Sequence, residues 1–229
     1  MSTSRKSIIR ALLLGSLSVS FAKPAAAQDA MDIGVIKRSD VAVVQKLLYP
    51  KTGRTEMGVH LGVMPFDAYL TTPNLQLSYD SHMSESFSWG VVLGGGYGFE
   101  TGTLKELSSP SYGVSPDAYR YLGSLVGGVA WSPIYAKMNV DGAKIIHYDV
   151  YTSARAGATF SQSILPEGGS AIAPTLSLGV GSRFFLNETG NIRVELHDDL
   201  LLEKRELTDS MFLKHNINIS IGYTFLSGL

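Results

Sequence analysis

From Arg54 onward the chain alternates large apolar residues with small or polar ones, and it does so in eight separate runs. A period of two places successive side chains on opposite faces of an extended strand. The last run, "HNINISIGYTFLSGL" (215–229), is the strictest. Ile217, Ile219, Ile221, Tyr223 and Phe225 share one face, and Asn216, Asn218, Ser220, Gly222 and Thr224 share the other. The first run, "EMGVHLGV" (56–63), sets Met57, Val59, Leu61 and Val63 against Glu56, Gly58, His60 and Gly62. The six between them span 75–80, 87–99, 121–131, 145–160, 172–186 and 192–200, with Tyr97 and Phe99 counted in the apolar row of the third.

The connectors sort by length. "SHMSES", "VDGAK" and "NETGN" read as tight turns, whereas "PFDAYLTT", "TGTLKELSSPSYGVSPDAYR", "SQSILPEGGS" and "EKRELTDSMFLK" are longer. Short turns at one end and longer loops at the other are the habit of membrane barrels. A soluble barrel would turn its apolar row inward and carry Lys and Glu outside. Here the non-apolar rows hold Gly, Ser and Thr with isolated Arg, Asp, Glu and His, which suits a crowded interior. Aromatic residues near run ends (Phe87, Trp89, Tyr97, Phe99, Tyr121, Trp131, Tyr148, Phe160, Phe184, Tyr223 and Phe225) match interfacial girdles. The expected fold is therefore all-β, an eight-stranded antiparallel up-and-down transmembrane barrel over residues 54–229. Its last strand would pair with its first, because lipid leaves unpaired backbone unsatisfied.

The first 27 residues predict a cleaved signal peptide. Arg5, Lys6 and Arg10 precede the apolar run "ALLLGSLSVSFA", and "AAA" at 25–27 supplies the small residues of a cleavage site. The run is shorter than the roughly 20 residues a spanning helix needs. Residues 28–53 then form a periplasmic leader, in which "SDVAVVQKLLYP" reads equally as a short capped helix or as an extended segment. Both mature termini would lie in the periplasm of a Gram-negative cell.

Composition narrows the function. The formal charge of −1 becomes −5 without the four cations and no acids of residues 1–27, which argues against nucleic acid as a partner. The chain has no Cys, so disulfides, thiolate zinc sites and lipid-modified cysteines are excluded.

At these residues the chain resembles the outer-membrane β-barrel domain proteins of myxobacteria and their relatives. The likeness lies in "KTGRTE", "SPDAYR" (115–120), "SPIYAKM" (132–138), "IIHYDVYTSARAGATF" and "LGVGSRFFLN", and runs through nearly all of the chain after residue 27. It implies an outer-membrane location and an eight-stranded barrel similar to the OmpA membrane domain. It brings no catalytic residues with it. The chain departs from the usual end of such barrels, on an aromatic, by the four residues "LSGL" after Phe225.

The inward rows collect the chain's chemistry: Glu56, His60, Asp80, His147, Asp149, Arg155, Arg183, Arg193, Glu195, His197 and Asp199. An eight-stranded lumen is about filled by its own side chains, and buried charges must pair. The expectation is a structural ion-pair network in which Arg155, Arg183 and Arg193 meet Glu56, Asp149 and Glu195. An enzyme could be built on His147 with Asp149 or His197 with Asp199. Two residues apart on a strand is about 7 Å, however, and no nucleophile, base and orienting group can be named together. "LGGGYG" lacks the Lys and the helix of a phosphate loop, and His60 with His147 lacks metal-ligand spacing. The reading is a non-enzymatic barrel with no catalytic, cofactor or metal site. It would serve a structural, anchoring or interaction role, with a small pore or solute-binding barrel as the alternative. Its partners would be outer-membrane lipids, the barrel assembly machinery during biogenesis, and a protein reached through the outer loops or the leader.

Overall fold

Two unlike faces along each run are both served when the sheet closes on itself, and it does. The computed structural model describes residues 48–140, 144–208 and 210–227. The signal-peptide reading, the leader as far as Leu47, the centre of "VDGAK" and the last two residues of "LSGL" lie outside them. Among the described residues the strands are β1 (Thr55–Met64), β2 (Leu70–His82), β3 (Phe87–Gly96), β4 (Phe99–Glu100), β5 (Tyr119–Val140), β6 (Lys144–Ser163), β7 (Ser170–Phe185), β8 (Gly190–Lys204) and β9 (Met211–Ser227), with one short helix, α1 (Gly102–Leu107).

Eight strands pair antiparallel in sequence order, β1-β2-β3-β5-β6-β7-β8-β9, and β9 pairs back onto β1. Paired residues lead from Gly58 through Ser78, Val92, Val126, Gly157, Thr175 and Leu201 to Lys214 on β9, whereas Gly58's own partner on β9 is Thr224. The ring thus closes with a stagger of ten residues, from Lys214 to Thr224. Strands so staggered tilt by roughly 35–45° to the barrel axis. Pairing continues past Phe225: Thr55 faces Ser227, their hydroxyls are 2.8 Å apart, and Leu226 points inward and is buried.

Three expectations need correction. Tyr97 and Phe99 do not prolong β3, which stops at Gly96. Phe99–Glu100 forms β4 and pairs with Leu70 and Thr71 at the start of β2. A side chain at Gly96 would crowd the Pro73 carbonyl, 2.7 Å from its Cβ position, so glycine suits the point where the strand ends. The long connectors are also shorter than expected, because "SQS" belongs to β6 and the ends of "EKRELTDSMFLK" belong to β8 and β9. The longest hairpin stands on the supposed short-turn side. Residues 134–140 of β5 pair with residues 144–150 of β6 beyond the point where β3 begins, opposite Trp131.

The outer wall is apolar and open. Val59 and Leu61 are 52% and 66% exposed, and Leu77, Leu93, Val129, Leu178, Val180, Ile219 and Ile221 are likewise exposed. Large outward aromatics mark the end where β1 begins and β9 finishes, the termini end of the barrel: Phe87, Trp89, Trp131, Tyr223 and Phe225, with Tyr79 edge-on to Trp89 at 6.2 Å. Tyr97, Phe99 and Phe160 mark the far end. A contiguous apolar belt of this extent is far larger than soluble monomers present to water.

Candidate functional site

The inward residues of the ring form a packed lumen whose chemistry changes along its length. At the termini end, Arg183 is fully buried between two acids. Its Nε lies 3.1 Å from Glu56 Oε2 and its Nη1 lies 3.2 Å from Asp149 Oδ2. His82 is hydrogen-bonded to the same Glu56 oxygen at 2.9 Å, and Lys51 donates its ammonium to Asp149. One layer deeper, Arg193 donates to Asp80 Oδ2 at 2.6 Å and to Glu195 Oε2 at 2.9 Å, and Arg155 holds Glu195 Oε1 at 2.6 Å. Tyr151 joins the two layers. Its ring lies between the guanidiniums of Arg183 and Arg193, 4.4 and 4.7 Å from its centre. Its hydroxyl accepts from Arg193 Nε and donates to Glu195, both at 2.5 Å. Only glycine fits opposite it, since a Cβ on Gly181 would stand 2.3 Å from the Tyr151 hydroxyl.

Each of these carboxylates gives up its water in exchange for charge-assisted hydrogen bonds and ion pairs with the cations around it. Arginine suits this role better than lysine, because its planar fork bonds two acids at once and stacks on an aromatic ring.

Residues 48–54 complete that end. Gly53 adopts a positive φ of 76°, and the turn it makes sends Lys51 into the barrel. Glu85, in the β2–β3 turn, clasps the segment from below. It accepts from the Lys51 and Thr52 backbone N–H groups at 3.0 Å and from the Thr52 hydroxyl at 2.6 Å. Partial burial would raise the Glu85 carboxyl, but these hydrogen bonds outweigh it and hold the group below its ordinary value. Burial pushes the Lys51 ammonium below its usual value, against the attraction of Asp149. Arg54 donates to the Leu226 carbonyl at 2.9 Å and so ties β1 to the closing strand. Tyr49 stacks on Phe185 at 5.4 Å and meets His147 edge-on at 5.3 Å.

Towards the far end amides, hydroxyls and aliphatic side chains predominate, with two buried acids, Asp199 and Glu203, among them. Asn74 and Asn218 exchange amide hydrogen bonds at 3.2 and 3.3 Å, Gln76 donates to Asn74 at 3.1 Å, and Asn218 meets His197 at 3.3 Å. Thr159 and Thr175 pair at 2.7 Å, as do Tyr121 and Ser124 at 2.9 Å. Beyond them the inward positions include Met64, Leu70, Tyr119, Ala173 and Leu201, all buried, Leu201 to 0% exposure. The helix α1, capped by the Thr101 hydroxyl, buries Leu104 at the same end.

Of the residues singled out from the sequence, the structure brings Glu56, Asp149 and Arg183 together in one layer and Asp80, Arg155, Arg193 and Glu195 in the next. His197 stands beside the second layer, its Nδ1 3.5 Å from Glu195 Oε1 and its Nε2 3.9 Å from Asp199 Oδ2. His60 is bound instead to the Ser78 hydroxyl at 2.8 Å. His147 departs from expectation. It sits at the rim, where its neighbours are rings, and pairs with the Tyr135 hydroxyl at 3.0 Å rather than with an acid. Lys51, Arg54, His82 and Tyr151 belong to the packed lumen and were not singled out. Tyr151 and His82 do share the strand parity of Asp149 and Asp80. Among the described residues no group of three or more His, Asp or Glu side chains is arranged to hold a metal ion.

No family model and no curated protein sequence matches the chain. Among solved structures the chain is similar to the N-terminal β-barrel domain of Pseudomonas aeruginosa OprF, with a TM-score of 0.46 and 10% identity over 77% of this chain and 98% of that one. Neisserial surface protein A gives a TM-score of 0.43 and 9% identity over 75% of this chain and 95% of that one. Ail, the attachment invasion locus protein of Yersinia pestis, gives 0.37 and 15% identity over 76% and 97%. Likenesses this distant assign no function.

Proposed function

We propose that the chain is an integral outer-membrane barrel whose lumen is sealed by its own side chains, and that it anchors or presents its loops to a partner. The observation that carries this reading is the pairing of an inverted surface with a closed interior. Leucine, valine and isoleucine face outward, while Arg183, Arg193, Glu56 and Asp149 are at most 1% exposed inside. In water that arrangement would leave the belt unsatisfied; in a bilayer it is the stable one. The acids and arginines are occupied with each other, which favours a structural role over catalysis or conduction.

The far-end loops support an interaction role because they are tied into one surface. Asp117 accepts from the Leu207 N–H at 2.9 Å, and Glu206 accepts from the Ser163 hydroxyl at 2.9 Å and from the Gly169 N–H at 3.1 Å. In this reading the loops face outward from the cell, the termini lie in the periplasm, and the barrel assembly machinery inserts the chain. The segments that resemble the myxobacterial barrel proteins fit it too: "KTGRTE" carries Lys51 and Arg54, and "LGVGSRFFLN" carries Arg183.

Closed barrels resist SDS until heated. The protein in membrane fractions is expected to resist carbonate extraction and to run at different positions boiled and unboiled. Val59→Arg, on the belt, should cost roughly 2–4 kcal/mol of folding into bilayers, whereas Ser220→Ala, in the lumen, should cost far less. Equal mobility with carbonate release, or equal tolerance of the two substitutions, would defeat the reading.

A further inference from the structure

The β5–β6 hairpin carries an open strand edge past the barrel wall. β3 begins at Phe87, opposite Trp131, and the last backbone hydrogen bond on that side of β5 runs from the Ser132 N–H to the Ser86 carbonyl at 2.7 Å. Pro133 follows, within the register shift between Trp131 and Ile134. Beyond it residues 134–140 pair with β6 alone, and no described strand borders their other side. At about 3.3 Å per residue, Val140 stands roughly 30 Å along the strand from Trp131, an outward ring that marks this end of the belt.

The two faces of this edge differ. Ile134, Met138 and Val140 are exposed and share the outward row with Ala136. Tyr135 and Lys137 stand opposite Asp149 and His147, both buried inward residues, so with Asn139 they form the inward row. Lys137 is exposed and has no acid partner among the described residues. Asp149, the acid of its row, is taken by Lys51 and Arg183.

Resting on the membrane reading, this end lies in the periplasm, with the edge clear of the belt. Water serves the unpaired backbone groups but not the apolar row, and lipid serves the row but not the backbone. An added strand serves both. A second copy, paired antiparallel over residues 134–140 in the symmetric register, would set Lys137 against Lys137, and like charges directly opposite are unfavourable. An acid on a different chain suits that position.

We propose that the β5–β6 hairpin is a docking edge for an extended peptide of a periplasmic protein: the peptide adds a strand along residues 134–140, sets apolar side chains beside Ile134, Met138 and Val140, and sets an acid opposite Lys137.

The full chain, in nanodiscs of phosphatidylethanolamine and phosphatidylglycerol and with its fold checked by the heat-dependent gel shift, is titrated into fluorescent nine-residue peptides of alternating threonine and valine. One peptide carries glutamate at its centre and the other lysine; empty nanodiscs are the control. Anisotropy should show the glutamate peptide binding about five to ten times more tightly than the lysine peptide. Lys137→Glu should invert that order and leave the gel shift unchanged. N-methylation of every second peptide residue removes the donors of one peptide edge. Binding should survive methylation of one set and be lost with the other, because only one edge meets β5. Equal binding of the glutamate and lysine peptides, or of the two methylated forms, would mean adsorption to the apolar row and overturn the proposal. No binding above empty nanodiscs would give the edge to another occupant (the chain's own leader, a second copy or the lipid surface) and overturn it as well. A wild type with no heat-dependent shift would sink the membrane reading and the periplasmic edge with it.

Discussion

At the termini end the lumen is held by charge; at the far end it is held mainly by amides, hydroxyls and aliphatic side chains. The same strands build both halves, and the same belt surrounds them. Glu56 and Arg183 lie on the strands that carry Gly62 and Ala173 nearer the other mouth. The difference teaches where this barrel is brittle. In the ionic half each charge is tolerable only because its partners are present, so removing one strands the others. In the far half most inward groups are neutral, Asp199 and Glu203 excepted, and the loss of a neutral one exposes a cavity or one unmade hydrogen bond.

The largest effect should come from Arg193→Ala. It strips Asp80 and Glu195 of a shared cation and leaves Tyr151 without its donor, at about 4 kcal/mol. Urea unfolding in lipid vesicles, followed by the fluorescence of outward Trp89 and Trp131, would measure it. Leu201→Ala should come next, about 3 kcal/mol from the cavity left in the apolar cap. Asn218→Ala should cost about 1–2 kcal/mol, since it breaks amide bonds whose partners keep alternatives. If Asn218→Ala proved as damaging as Arg193→Ala, the two halves would not differ in the way described.

The smallest expected effect concerns pH and the clasp below the ionic half. The Glu85 carboxyl lies lower in the folded protein than in the unfolded chain. Its contribution is therefore complete above the unfolded carboxylate value of about 4.3 and fades as pH falls through the lowered folded value. A series of unfolding curves from about pH 6 to about pH 3 should show wild type losing a small increment that Glu85→Gln never has. Parallel curves for the two proteins would mean that the clasp contributes nothing.

Much of this was legible in the alternation. Strand parity put Glu56, Asp80, Asp149, Arg155, Arg183, Arg193, Glu195 and His197 on inward faces, because a period of two leaves no freedom once one face is apolar. Parity also contained Tyr151, but an aromatic ring reads as belt until its two arginine neighbours are seen. His82 lies two residues past the alternating run that stops at Asp80, at the last position of β2. Lys51 and Arg54 had no periodicity to reveal them: they precede β1, and only the turn at Gly53 and the Glu85 clasp aim Lys51 inward. His147 has inward parity but lies where the wall has narrowed to the β5–β6 hairpin and β7, so rings rather than charges surround it.

The central claim is that the lumen is closed, and single-channel recording in planar bilayers tests it most directly. Wild type should show no steady current. Arg183→Ala, which leaves Glu56 and Asp149 without their shared guanidinium, should admit water and give small intermittent currents. A stable, ion-selective current from wild type, unchanged in Arg183→Ala, would contradict the account and make the barrel a pore.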